Sequence, residues 1–293
     1  MSSLRRQRAT DEDSTPAPKT VRLLFTTKGF RVANATIART TSGDLSGKRP
    51  FRWNEKPSGH VFYVAMAIAF LVISVAGFAP SIIYPSHRLG SSSWLVAAHG
   101  SLFFVWLLVF LGQPILIKRR SYQTHRAAGI ASSVLAVTMI TVGYLTTIAA
   151  TRRGFDFSGD LDLAHDPLGP INQMIFPLLD IAEFGVLVAA GYLMRRRSDY
   201  HKRLMLFATI AMLPAPFAHL IGHIPWLKPY GAVVLIPIFI SLSASPIFDM
   251  ITFRRVHPVS AWLAPSMFIL DILCASVIGP SAIWTRIAQQ LIQ

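Results

Sequence analysis

Arg195-Arg196-Arg197-Ser198-Asp199-Tyr200-His201-Lys202-Arg203 separates two apolar runs, residues 171–194 and 204–221. Crossing ~30 Å of hydrocarbon takes about 20 helical residues, so each run has the length of a membrane span. The same device stands earlier, as Lys118-Arg119-Arg120-Ser121-Tyr122-Gln123-Thr124-His125-Arg126. A reduced form, Arg254-Arg255-Val256-His257-Pro258, stands later. Each copy places a histidine at or near the start of the next apolar run.

Working outward, seven spans can be drawn over residues 60–82, 91–117, 127–150, 171–194, 204–224, 229–250 and 260–284. The chain is 52% hydrophobic and only 14% charged, against about 25% charged in soluble domains. The expected fold is all-α: a seven-span transmembrane helical bundle over 60–284, a disordered basic tail over 1–59 and a short tail over 285–293. The net charge of +14 lies in the tail and the short loops. That placement fits topology and anionic lipid headgroups as partners, and it argues against nucleic acid. With the N-terminus in the cytoplasm, 23 of the 28 Lys and Arg fall inside, as the positive-inside rule requires. The C-terminus then lies outside. The expected location is a bacterial inner membrane, with the mitochondrial inner membrane as runner-up. Spans 2–3, 4–5 and 6–7 read as three similar hairpins. Leu213-Pro214-Ala215-Pro216 predicts a break in span 5. The single cysteine, Cys274, excludes an intrachain disulfide and any CxxC motif.

Ionisable side chains at membrane depth cost free energy and need an account. They are His99, Asp180, Glu183, His219, His223, Asp249 and Asp271, with His125, His201 and His257 at the inner boundary. Asp180 and Glu183 are i,i+3 and share a helix face, as do His219 and His223 at i,i+4. Two chemistries fit. Haem b could be held by paired imidazoles, His99 with His219 or His223 outside and His125 with His201 inside, in the layout of dihaem transmembrane cytochromes b. Alternatively His99, Asp180, Glu183, His219 and His223 could surround one Zn²⁺ in a metal-dependent intramembrane hydrolase. That second set partly resembles the membrane zinc hydrolases related to alkaline ceramidases and adiponectin receptors. The plainer expectation is a non-catalytic assembly factor or transporter-like carrier. In it the histidines contact headgroups and the buried polar groups bond between helices.

Several short motifs together are similar to an uncharacterised family of bacterial multi-spanning membrane proteins. They are His99-Gly100 with Trp106 and Gln113; His125-Arg126 with Gly129; Asp180; His201-Lys202-Arg203-Leu204-Met205 with Ala208-Thr209; and Asp249 with Arg254-Arg255 and His257-Pro258. The resemblance covers residues 60–284. It implies one recurring pattern containing His99, His125, Asp180, His201 and Asp249, and no established activity. It leaves out His219 and His223.

Overall fold

The computed structural model describes residues 58–84, 94–154, 166, 168–224, 226–227 and 231–293. Apart from its last two residues, the expected disordered tail lies outside them. The described elements are helical, with no strand among them. In chain order they are α1 (Ser58–Ile83), α2 (Trp94–Lys118), α3 (Tyr122–Arg153), α4 (Gly169–Gln173), α5 (Ile175–Leu193), α6 (Ser198–Ile210) and α7 (Pro214–Gly222). A 3₁₀ turn, Gly231–Val234, leads into α8 (Leu235–Phe253) and then α9 (Pro258–Leu273). A π turn, Cys274–Ile278, follows, and α10 (Ala282–Leu291) ends the chain. Seven segments among these are long and apolar enough to cross a membrane. The chain is a multi-pass integral membrane protein built as an all-α bundle.

The fifth span, Ser198–Gly222, is the axis of the bundle. Two thirds of its most apolar window is buried (67%), against 17–28% for the other six. Apolar composition alone cannot rank spans this way, because lipid-facing and protein-facing helices are equally hydrophobic. α6 packs on α5, α8 and α9, and α7 packs on α1. α6 stops at Ile210 and α7 starts at Pro214, so the break falls where the proline pair predicts it. Gly77 of α1 makes the close approach to α7 possible. A Cβ there would come within 2.5 Å of the Pro216 carbonyl oxygen.

The basic loops are shorter than nine residues. α3 and α6 begin inside them, so the non-helical links shrink to residues 119–121 and 194–197. Hydropathy marks where hydrocarbon ends, whereas a helix continues into the headgroups wherever its first turn is satisfied. The His125 backbone N–H bonds the Ser121 carbonyl at 3.0 Å, and that of His201 bonds the Arg197 carbonyl at 2.9 Å. Both histidines are therefore the fourth residue of their helix. His257 departs from this register and stands as the N-cap of α9.

The last span ends at Ile278, before the expected 284. Ser281 then caps α10, accepting from the Trp284 N–H at 3.2 Å. The region expected to be a tail from 285 is thus mostly helix. α10 buries Trp284 and Ala288 against Met174, Ile171 and Ile175 and leaves Ile283 and Ile287 exposed. The Trp284 indole N–H donates to the Asn172 carbonyl at 3.1 Å, and the Thr285 hydroxyl to Asn172 Oδ1 at 2.8 Å.

Candidate functional site

The three basic links fall at one end of the bundle, and the polar side chains of α6 organise that end. Arg203 is fully buried, with relative exposure 0%. Its Nη2 donates to Asp249 Oδ1, its Nε to Asp249 Oδ2 at 3.2 Å, and its Nη1 to the Asp199 carbonyl at 2.9 Å. The sequence reading counted Arg203 as a topological loop charge, whereas it lies inside the bundle. Asp249 also accepts from the His257 backbone N–H at 3.1 Å and the Ser260 hydroxyl at 2.8 Å. Since Ser260 spends its proton on Asp249, Ser245 donates to Ser260 Oγ at 2.9 Å. Four donors thus converge on one carboxylate, one on Oδ1 and three on Oδ2. It ties α6, α8 and α9 together as a structural pin.

His257 extends the pin. Its Nδ1 accepts the Val259 backbone N–H at 3.2 Å. A backbone amide only donates, so the ring proton sits on Nε2, which donates to Asp199 Oδ2 at 3.3 Å. Burial first, then the Arg203 guanidinium, hold this imidazole below the usual histidine range, although Asp199 pulls the other way. His257 is locked in its neutral form by the cap it provides.

Beside the pin, His125 and His201 face each other across α3 and α6. Their ring centroids are 6.5 Å apart and their planes lie at 87°. The Gly191 carbonyl fixes the His201 tautomer: it can only accept, so Nδ1 carries the proton and donates at 2.8 Å. In the neutral ring, Nε2 of His201 is then the accepting nitrogen. Gly191 lets the carbonyl come this near, since a Cβ there would meet Met205 Sδ at 2.8 Å. His125 lies against the Gln113 backbone, and its Nδ1 is buried without a hydrogen-bond partner among the described residues. Both polar atoms of the Gln113 side-chain amide are likewise buried and unpartnered. Buried polar groups normally find partners. His125 Nδ1 and the two Gln113 amide atoms are thus three buried polar atoms with no hydrogen-bond partner among the described residues.

The opposite end is less convergent. Thr146 donates its hydroxyl to the Gly143 carbonyl at 2.7 Å, so the His99 Nδ1–H donates to Thr146 Oγ1 at 3.3 Å. The His99 ring stacks on Phe103, with centroids 4.2 Å apart. His219 is buried and packs on Phe78 of α1 at 4.5 Å. His223 is exposed and donates to the Gly77 carbonyl at 3.3 Å. Asp180 and Glu183 of α5 lie within electrostatic reach of Asp271 in α9. The five-residue zinc set is therefore not assembled: His99 belongs to the α2–α3 contact and His219 to the α1–α7 contact. Among the described residues no group of three or more His, Cys, Asp or Glu side chains is placed to hold a metal ion. The His99 and His219 rings lie in separate helix contacts, whereas the His125 and His201 rings face each other.

No family model, curated protein or solved structure matches this chain. The residues that carry the resemblance do converge in space. The Trp106 indole N–H donates to Thr209 Oγ1 at 3.2 Å. Gln113 meets His125, His125 meets His201, and Arg203 meets Asp249 beneath His257. Sequence reasoning undervalued Arg203, Ser260 and Gln113. The legible signal for Arg203 was its place four residues after Asp199, one turn into the central span.

Proposed function

We propose that the protein binds a single redox cofactor, with haem b the best fit, between His125 and His201 at the basic end of the bundle. The observation that carries this reading is the facing imidazole pair. A ring nitrogen on each side and a metal–nitrogen bond of about 2.0–2.1 Å fit within the 6.5 Å centroid spacing. Two neutral histidines suit haem iron, whose other four positions are filled by the macrocycle. They do not suit a bare divalent ion, which would need further protein ligands.

The chain's own residues would hold and orient the group. Gly191 fixes the His201 tautomer, and Gln113 offers an amide to the cofactor's polar edge. Arg119, Arg120 and Arg126 are exposed around the rim and complement anionic side groups. When bound, the cofactor supplies one-electron chemistry. A lone site at one end suits exchange with a partner on the basic face, rather than the transfer between two stacked haems that the sequence pattern suggested.

The test is an absorption spectrum of the protein purified after expression with ample haem. A Soret band lost in both His125→Ala and His201→Ala supports the reading. A haem-free wild type that takes up none on reconstitution refutes it. A carrier reading draws on Asp180, Glu183 and Asp271, three carboxylates within reach of one another in two spans. Proton uptake into vesicles that is lost in Asp180→Asn would favour it.

A further inference from the structure

A second site lies at the end of the bundle opposite the histidine pair. A cleft of about 470 Å³ runs between the start of α2, the last turns of α3 and the end of α10. Its volume falls in the ~300–1,000 Å³ range of small-ligand sites. Trp94, Tyr144, Leu145, Ala149 and Leu291 line it, and Arg152 is the charged residue among the described lining residues. From Tyr144 to Arg152 is eight helical residues, about 12 Å.

Arg152 is positioned rather than loose. Its Nε and Nη2 both donate to the Ile292 carbonyl, at 2.9 and 2.6 Å. A guanidinium has five N–H donors, so this tether leaves the Nη1 pair for an anion. Trp94 is 77% exposed and is the first residue of a membrane-span helix; indole rings concentrate at the membrane–water boundary. An apolar trough running into the hydrocarbon, with a fixed cation at its boundary end, matches an amphiphile with an acyl chain and an anionic head. A second cleft, lined by Leu235, Ile236, Phe239 and Phe268, is apolar throughout. It offers nothing to fix a headgroup.

We propose that the α2–α3–α10 cleft holds one membrane phospholipid, its phosphate on Arg152 and one acyl chain along Tyr144, Leu145 and Ala149. α10 is then part of a lipid site, because the carbonyl that holds Arg152 belongs to the residue just after it.

Native mass spectrometry of the full chain in detergent, titrated with phosphatidylglycerol, tests this. The wild type should bind one lipid more tightly than the rest. Arg152→Gln should weaken that step by about tenfold, the effect of one charge-assisted hydrogen bond, and Arg152→Lys should recover part of it. Ala149→Trp fills the cleft and should abolish the step. Leu145→Trp, at an exposed position, should weaken it without a folding penalty, while Ile236→Trp in the other cleft should change nothing. Inorganic phosphate and diacylglycerol should each fail to displace the lipid at equal concentration. Binding that is equal in all variants would reduce the site to ordinary lipid contact and overturn the proposal. Displacement by phosphate alone would overturn it in favour of a phosphate site.

Discussion

Arg203 and Asp249 form an ion pair with both side chains at 0% exposure, in the central span and its neighbour. Such a pair attracts strongly, but removing two charges from water costs several kcal/mol each, so its net value depends on the extra hydrogen bonds. Here Ser260 and the His257 amide supply them to Asp249, and the Asp199 carbonyl supplies one to Arg203.

Breaking the pair from one side strands a buried charge. Asp249→Asn or Arg203→Met should each cost about 3–5 kcal/mol, read as a lower unfolding temperature in detergent. The double variant Arg203→Met, Asp249→Leu should recover much of the loss. Single variants as stable as the wild type would contradict the role of the pin.

His257 gives the account a pH dependence. Its folded-state value lies below the ordinary 6.5, so the unfolded chain binds the proton more readily. The stability it contributes is fully present above about pH 6.5 and is lost as pH falls through the lowered folded value. The charged groups facing it are Asp199 and Arg203 of α6 and Asp249 of α8. Unfolding temperature should therefore fall more steeply below pH 6.5 in the wild type than in His257→Asn, which keeps a cap acceptor without titrating. Parallel slopes would count against the locked tautomer.

Gln113 should show a trade-off. Its buried amide makes no hydrogen bond among the described residues, and an unsatisfied group costs about 1–3 kcal/mol. Gln113→Leu should raise the stability of the cofactor-free protein by up to that amount and shorten cofactor retention. Thermal unfolding and the rate of haem loss read the two effects separately. A variant less stable than the wild type would mean that the amide has a partner in the bundle.

Two glycines should rank in a fixed order. At Gly77 an added Cβ meets the Pro216 backbone at 2.5 Å, and at Gly191 it meets the flexible end of Met205 at 2.8 Å. Overpacking costs typically about 1–3 kcal/mol, and backbone yields less than a thioether. Gly77→Ala should be the more destabilising by thermal unfolding, while Gly191→Ala should chiefly disturb the His201 contact. The reverse order would contradict the close approach of α1 and α7.

The spans were legible because twenty apolar residues in a row have one physical explanation, and the Pro214 break because proline lacks the donor a helix needs. The ends of α3 and α6 were not, since Ser121 and Arg197 carry the helices past the hydrocarbon edge that hydropathy detects. Arg203 was misread for a related reason: charge counting along a chain cannot tell a headgroup contact from a buried pair whose partner is 46 positions away. The two near-identical basic links place His125 and His201 in the same register, and in the bundle their rings face each other. The pairing of His99 with His219 failed because it needs α2 and α7 to turn the same faces inward. That is set by packing between lipid-like surfaces, which leave no periodic pattern to read.

The central claim is that His125 and His201 hold one cofactor. Its most direct test is the absorption spectrum of purified wild type beside His125→Ala, His201→Ala and His99→Ala. The account predicts a Soret band that survives in His99→Ala and disappears in the other two. A protein without the band after haem reconstitution, or one that keeps it when His125 and His201 are both replaced, would contradict the account.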